Sequence, residues 1–521
     1  MARRHHWAWM GGMVEHVQPI VDRVGEAPAR VETAGRRMYE RTLGWAGREA
    51  LLFPVVALFL IALAGNLPRE LFQDSWLAIL GGREVVQNGL PTHDTLAIWT
   101  QGREWVDQQW LAQLLFYGLY AFGGTKLALA LHVVAAAGAF ILAVVVARRR
   151  GGSTRSVCWI AVPTYALLTW GSWNARAQSL ALLLFVLLIA LLIRDAHSPS
   201  RRVFFVLPLL ILWANIHGTA LTGAVLVALW GLTYAIERRK RPLREWAPRS
   251  AVLVVAPFAC IFASPYASSL PSYYETMLFN SGFREFVTEW SPTAASAQTA
   301  PFYLLAFLTV WLVGRQKERL LPFEKVLLAA TLLIGLQTIR GVIWFTLVAL
   351  MLVPVALDGV LKPNTRAMRF QLLNRSLIAT SLVGVVVAVA AVAAKPSSWF
   401  ERSYPSGILS AFDRVQVRDP QLRVFANEAY GDWMLLRRPE LRGRLAFDIR
   451  FELMSKKELQ RLLGIRWRSD GWQQRVAPYS LFVLKKGPES RLASGLLRQP
   501  GARVEYRGQG AIVIFRPSRQ R

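Results

Sequence analysis

Cysteine is nearly missing from this chain: Cys158 and Cys260 are the only two, and both lie inside apolar runs. That scarcity excludes a disulfide framework and a CxxC metal or redox motif. Charge is also sparse, at 18% of residues, and strongly one-sided, with 33 Asp and Glu against 61 Lys and Arg. In a soluble protein a net charge of +28 would point to nucleic acid. Here the Lys/Arg bias of short cytoplasmic loops accounts for it, and no nucleic-acid partner is expected. Near the start there is no 7–15-residue apolar core of the secretory-signal kind, only a basic, amphipathic stretch. Residues 1–50 therefore read as a cytoplasmic basic segment, with Val14, Val17, Ile20 and Val21 suggesting a short interfacial helix.

What the chain has in abundance is apolar sequence, 54% of its 521 residues. Runs such as 125–147, 177–193, 203–236 and 376–394 approach or exceed the roughly 17–25 residues that a membrane helix needs. The fold class expected is a polytopic α-helical membrane protein. Spans are placed near 51–67, 125–147, 156–171, 177–194, 203–217, 219–236, 251–265, 301–314, 325–340, 341–358 and 376–394, about eleven in all. The loops RRRGGSTR, RDAHSPSRR, ERRKRPLREWAPR, RQKER and KPNTRAMR are basic, and the turns between them are not. This alternation predicts a multi-pass protein of the cytoplasmic membrane, N-terminus inside and C-terminus outside.

Three regions follow: the cytoplasmic segment 1–50, a transmembrane domain over 51–394 whose first outer loop spans 68–124, and a soluble extracytoplasmic domain over 395–521. The stretch from Asp74 to Trp110 organises the whole. It is too polar to span a bilayer and too apolar, with its many Trp, for an ordinary exposed loop. One helical pattern follows Asp74 and stops at Asn88-Gly89. A second is expected from near Asp107 to Gly123-Gly124, lying along the interface. If 105–122 crossed the membrane, Arg148-Arg149-Arg150 would fall outside, against the charge bias. In the last region, Ser455 to Glu458 reads as a capping box opening a helix that ends at Gly464. RVFANEAY, RLAFDIRF, YSLFVLKK, ARVEY and AIVIFR read as strands, giving a small α/β or α+β domain.

Polar residues of the membrane part collect on the outer side. Asp74, His93, Asp94 and Asp107 lie in the first outer loop, while Arg176, Asn215, His217 and Arg340 sit at outer ends of spans. Glu289 and Trp290 lie in the third outer segment, with Tyr266, Tyr273 and Tyr274. Each has a plain explanation. Asp74 and Asp107 suit helix N-caps, His93-Asp94 a turn, the two arginines headgroup snorkelling, and His217-Gly218 a helix end. Their coincidence on one face is what suggests a reaction between an anionic membrane substrate and the outer compartment.

A first outer loop that opens on Asp after span 1 and continues into interfacial helices resembles the GT-C superfamily of lipid-linked-sugar glycosyltransferases. The segments QDSWLAILGGREVVQNGLPTHDTLAIWTQGREWVDQQWLAQLL, NARAQ, LWANIHG, SPYASSL, VTEWSP and TIRG resemble a bacterial subgroup of it. NEAYGDWMLLRRPELRGRLAFDIR is similar to that subgroup's outer domain. The resemblance implies inverting transfer from a polyprenyl-phosphate sugar to a lipid, glycan or protein acceptor of the cell envelope. It implies Asp74 as general base, with His93, Asp94, Arg176, Asn215, His217, Glu289 and Arg340 binding substrate. Arg176, Arg340 or His217 would stabilise the lipid-phosphate leaving group. The chain departs from the pattern at Ala177, Gln108-Gln109, Gly431-Asp432 and Asp448-Ile449-Arg450, and GSWNARAQ has no second acid. No metal site is assigned, and a divalent cation stays open because Asp74, His93 and Asp94 have no recognised ligand spacing. The competing expectations are a non-catalytic lipid-handling or transport protein and a degenerate scaffold whose outer domain binds a partner.

Overall fold

The computed structural model describes residues 49–171, 174–361 and 371–517. The amphipathic stretch at 14–21 and the loop KPNTRAMR lie outside the described residues. Six helices are long and apolar enough to cross a membrane: Leu52–Glu70, Trp110–Arg149, Ala177–His197, Ala220–Arg238, Ile339–Leu361 and Gln371–Ala393. The chain is a multi-pass α-helical membrane protein. Thr154–Gly171, Val206–Ala214, Leu243–Ile261, Ala300–Arg315 and Pro322–Gln337 are helices at the other expected positions, though shorter or less apolar. The run 203–217 is not one helix but a 3-10 turn, Arg201–Phe205, leading into Val206–Ala214.

Packing separates the centre from the rim. The most apolar window of Ile339–Leu361 is 94% buried, that of Gln371–Ala393 only 6%. The first is the axle of the bundle and the second an outer rib. Prolines at 163, 257 and 354 sit inside helices, which neighbouring helices tolerate in a membrane bundle. The basic-loop end is tied by buried acids. Asp358 accepts from the backbone N–H of Ser153 at 2.5 Å and from Ser156 Oγ at 2.6 Å. Arg249 Nη2 donates to Asp195 at 2.6 Å.

At the other end the segment 68–124 forms two helices, Gln73–Asn88 and the first part of Trp110–Arg149. The latter breaks at Gly123-Gly124, where Gly124 takes φ 65°, a conformation that favours glycine. The expected end of this helix is thus found as a kink. The two helices touch closely: a Cβ on Gly82 would lie 2.1 Å from the Gln113 carbonyl oxygen. Two aspartates expected as N-caps are not. Asp74 is the second residue of its helix, whose cap is Phe72. The cap before Trp110 is Gln109, with Asp107 two residues upstream and buried.

After Gln371–Ala393 the chain builds a four-stranded sheet in the order β1-β2-β4-β3, with β1 Val424–Ala426, β2 Leu481–Lys485, β3 Arg503–Arg507 and β4 Ala511–Phe515. β1 runs parallel to β2, and the other pairs are antiparallel. Alternate residues face two cores. Val424, Leu481, Val483 and Val513 pack with Trp76 and Trp433, while Phe425, Phe482, Leu484 and Ile514 pack with Leu459 and Leu496. One of the two cores therefore includes the helix Gln73–Asn88. The capping box at Ser455–Glu458 is present, but its helix continues to Trp467.

The stretch 444–451, expected as a strand, is irregular. It makes isolated bridges through Leu445 to Val424 and to Ala97 of the first long loop. There the N–H groups of Ile98 and Trp99 donate to the carbonyls of Leu445 and Ala446 at 2.8 and 3.0 Å. Its backbone is spent on joining the sheet to the loop. Arg83 Nη1 adds a bond to the Leu436 carbonyl at 2.8 Å.

Candidate active site

The segment before Arg176 is held against the end of the first long helix. The Ala175 N–H donates to the Glu70 carbonyl at 2.9 Å, and the Arg176 N–H to Ser179 Oγ at 3.4 Å. Three residues beyond Leu71, Asp74 emerges in the first turn of Gln73–Asn88, where the helix dipole favours a carboxylate. This places Arg176 Nη1 2.7 Å from Asp74 Oδ2. The same nitrogen donates to Glu289 Oε2 at 3.3 Å. Glu289 lies in the 3-10 turn Thr288–Trp290, next to another 3-10 turn, Ile339–Gly341. The Ile339 N–H joins the two by donating to the Ser291 carbonyl at 3.2 Å. From the second turn Arg340 Nε reaches Glu289 Oε2 at 3.0 Å, and its guanidinium lies 5.2 Å from the Trp290 ring centroid.

Asp74, Arg176, Glu289 and Arg340, drawn from four separate segments, thus form one continuous ionic chain. Burial alone would raise the Glu289 carboxyl, but Arg340 and Arg176 together hold it below the usual range. Arg176 would lose basicity on burial, but Glu289 and Asp74 hold it above its ordinary value.

His217 stands in the field of the two arginines. Burial first, then Arg340 and Arg176, push its imidazole down to about 3. Its Nδ1 accepts from the Thr219 N–H at 3.2 Å and lies 2.9 Å from Thr219 Oγ1. The ring is therefore neutral, with Nδ1 as acceptor and the proton on Nε2.

The other expected ligands are placed differently. Asn215 is a brace: Nδ2 donates to the Ile211 and Ala263 carbonyls, and Oδ1 accepts from Trp110 Nε1 at 3.0 Å. Asp94 is fully buried. It accepts from Arg450 Nη2 at 2.6 Å, the Leu96 N–H at 2.9 Å and Thr100 Oγ1 at 2.5 Å. His93 is exposed, lies 3.0 Å from Thr92 Oγ1, and stands outside the ionic chain.

Several residues beside the chain carry chemistry to which the sequence alone assigned no role. Asp107 is 3% exposed, and Gln113 Nε2 donates to its Oδ1 at 2.8 Å. Burial pushes its carboxyl up to about 7, against smaller opposing effects from the Gln109 N–H, Arg450 and Gln113. Such a value is poised for proton transfer. Glu452 is likewise pushed up to about 7, by burial first, with Arg450 opposing and Asp448 and Asp74 adding to it. Asp432 is raised well above its usual range by burial and by Asp448. A polar flank in the loop, Asp107-Gln108-Gln109, was the one signal for Asp107, and it also fitted a cap.

Arg450 is the hub of this second group. Its Nε donates to Asp448 Oδ2 at 3.0 Å and its guanidinium stacks 4.2 Å from the Trp105 ring centroid. Among the described residues no group of three or more His, Cys, Asp or Glu is arranged to hold a metal ion. Of the acids near Asp74, Glu289 is engaged by Arg176 and Arg340.

No family model matches the chain, and no curated protein matches it. Among solved structures, it is similar to the crystal structure of ArnT from Cupriavidus metallidurans bound to undecaprenyl phosphate. The likeness has 14% identity and a TM-score of 0.46, and it covers 90% of this chain and 98% of that one.

Proposed function

We propose that the chain is a membrane glycosyltransferase of the GT-C type, transferring a sugar from a polyprenyl-phosphate donor to a hydroxyl acceptor at the outer face of the cytoplasmic membrane. The observation that carries this reading is the chain Asp74–Arg176–Glu289–Arg340. It puts a carboxylate and two guanidinium groups within one connected network. A proton acceptor and an anion clamp side by side are the two groups such a transfer requires.

In this reading Asp74 takes the proton of the acceptor hydroxyl as its oxygen attacks the anomeric carbon. The bond from that carbon to the phosphate oxygen breaks, its electron pair leaves with the lipid phosphate, and the configuration inverts. The leaving group is already an anion, so it needs charge stabilisation and no acid. Arg176 and Arg340 supply it through planar, hydrogen-bonding forks. The neutral His217 adds an Nε2–H donor. Glu289 keeps the two arginines apart and oriented before substrate arrives. Asn215 and Asp94 support the site rather than touch the sugar, and His93 is left without a role in the reaction.

A second assignment of the base is favoured by one observation: Asp107 is buried with its carboxyl near neutrality. Transfer of labelled sugar from a polyprenyl-phosphate donor by purified protein tests the function. No transfer or donor hydrolysis with any donor tried would favour a lipid-handling protein or a scaffold. Asp74→Asn and Asp107→Asn then decide between the two bases.

A further inference from the structure

At the opposite end of the helix Ala177–His197 from Arg176 there is an open groove enclosing about 850 Å³. It is separate from the ionic chain: at about 1.5 Å per residue, Arg194 lies on the order of 27 Å along the helix from Arg176. The groove is bounded by the last turns of Trp110–Arg149 and Ala177–His197 and by the start of the next helix. Its walls are hydrocarbon, from Leu142, Val145, Leu187, Leu191, Phe205 and Leu209. Its rim carries Arg149, Arg150, Arg194 and His197.

These rim groups are not equivalent. Arg150 Nε and His197 Nε2 lie 2.9 and 3.0 Å from the same buried carboxylate, Glu324. Arg149 and Arg194 are exposed, and among the described residues neither has an ion-pair partner. The neighbouring acid Asp195 is buried and paired with Arg249. Three arginines set against the one carboxylate of Glu324 leave two guanidinium charges unbalanced. Helix C-termini favour cations, which accounts for arginines at these ends. It does not account for an apolar groove lying open between them.

We propose that this groove binds an anionic phospholipid, its headgroup phosphate between Arg149 and Arg194 and the upper part of its acyl chains against Leu187, Leu191 and Phe205. Both helices are membrane-spanning in length and composition, so the walls face hydrocarbon and the arginines stand at headgroup level. Basic pockets between helices at this level select anionic headgroups, at about five-fold in affinity per arginine. Phe205, 64% exposed, gains cover when a chain lies on it. A size of roughly 300–1,000 Å³ is that of a ligand pocket, enough for a headgroup and its first methylenes.

The test is native mass spectrometry of the full-length protein in detergent, titrated with phosphatidylglycerol and, separately, phosphatidylcholine. Wild type should retain phosphatidylglycerol preferentially. Arg149→Ala/Arg194→Ala should lose this preference by on the order of 25-fold. Arg149→Lys/Arg194→Lys should keep most of it, and Arg244→Ala, outside the groove, should keep all of it. Ala190→Phe fills the groove while keeping both arginines in the chain and should also lose binding, which covers the case of a double variant that does not fold. Equal retention of both lipids by wild type, or unchanged phosphatidylglycerol binding in both the double-alanine and Ala190→Phe proteins, would overturn the proposal. So would displacement of phosphatidylglycerol by equimolar undecaprenyl phosphate, or a bound second copy of the chain in place of lipid.

Discussion

Arg176 Nη1 stands 2.7 Å from Asp74 Oδ2, across 102 residues of sequence. The arginine is almost wholly enclosed, its side chain 6% exposed, while Asp74 keeps 29%. The carboxylate thus faces the open side of the pair, as a proton acceptor must.

Asp74→Asn keeps shape and sits equally well in a first helical turn, so the melting temperature should barely change. Loss of a positioned base typically costs about 10²–10⁴ in rate. Transfer by this variant should fall by that factor, measured at saturating donor. Full activity would remove Asp74 from the reaction.

Asp107→Asn reads the competing base through pH. Burial pushes its carboxyl up to about 7 from the ordinary 3.8 of an aspartate. Between these values the native state holds a proton that the unfolded chain has lost. The contribution of Asp107 to stability is therefore greatest below about pH 4 and declines as pH rises to about 7. Asn carries no such penalty. The melting temperature of Asp107→Asn relative to wild type should rise across that window, and a flat difference would contradict the burial of the charge. If Asp107 were the base, this variant, and not Asp74→Asn, would abolish transfer.

Arg340→Ala removes one of the two guanidinium groups and its stacking on Trp290. A hydrogen bond to a charged group is worth about 1.5–3 kcal/mol, so kcat/KM for the donor should drop on the order of 10- to 100-fold. Arg340→Lys keeps the charge but not the fork and should fall between. Steady-state kinetics with varied donor measures both.

Asp94 and Arg450 are each fully buried and meet across 356 residues. Removing one partner of a buried pair costs about 3–5 kcal/mol. Asp94→Leu should therefore lower the melting temperature and expose the 395–517 region to limited proteolysis. Protease resistance equal to wild type would show that the strand-like joint at Leu445 suffices alone.

The basic-loop alternation gives a topology. A reporter fused after Arg150 should be active inside and one fused after Arg521 outside. The reverse outcome would move the ionic chain to the cytoplasmic side, away from the proposed acceptor.

Local pattern determined much of this protein. Apolar runs located the helices because a membrane span is defined by length and composition, with little need of distant partners. Gly123-Gly124 marked a break because backbone freedom is a property of the residue. Ser455–Glu458 marked a helix start because a capping box is local. Asp74, Arg176, Glu289 and Arg340 were legible as candidates, since charges at the ends of spans are costly without a purpose. The tertiary structure alone decided which polar residues meet. Asp107 and Asp94 looked like a cap and a turn, but burial raised the first toward neutrality and Arg450 captured the second. Asn215 was legible as a polar residue at a span end, and its amide bonds Trp110 and the Ala263 carbonyl. The stretch 444–451 alternates like a strand, yet its hydrogen bonds are divided between Val424 and the first long loop. Burial and long-range pairing set these outcomes. Both depend on what the rest of the chain brings alongside, which no window of sequence contains.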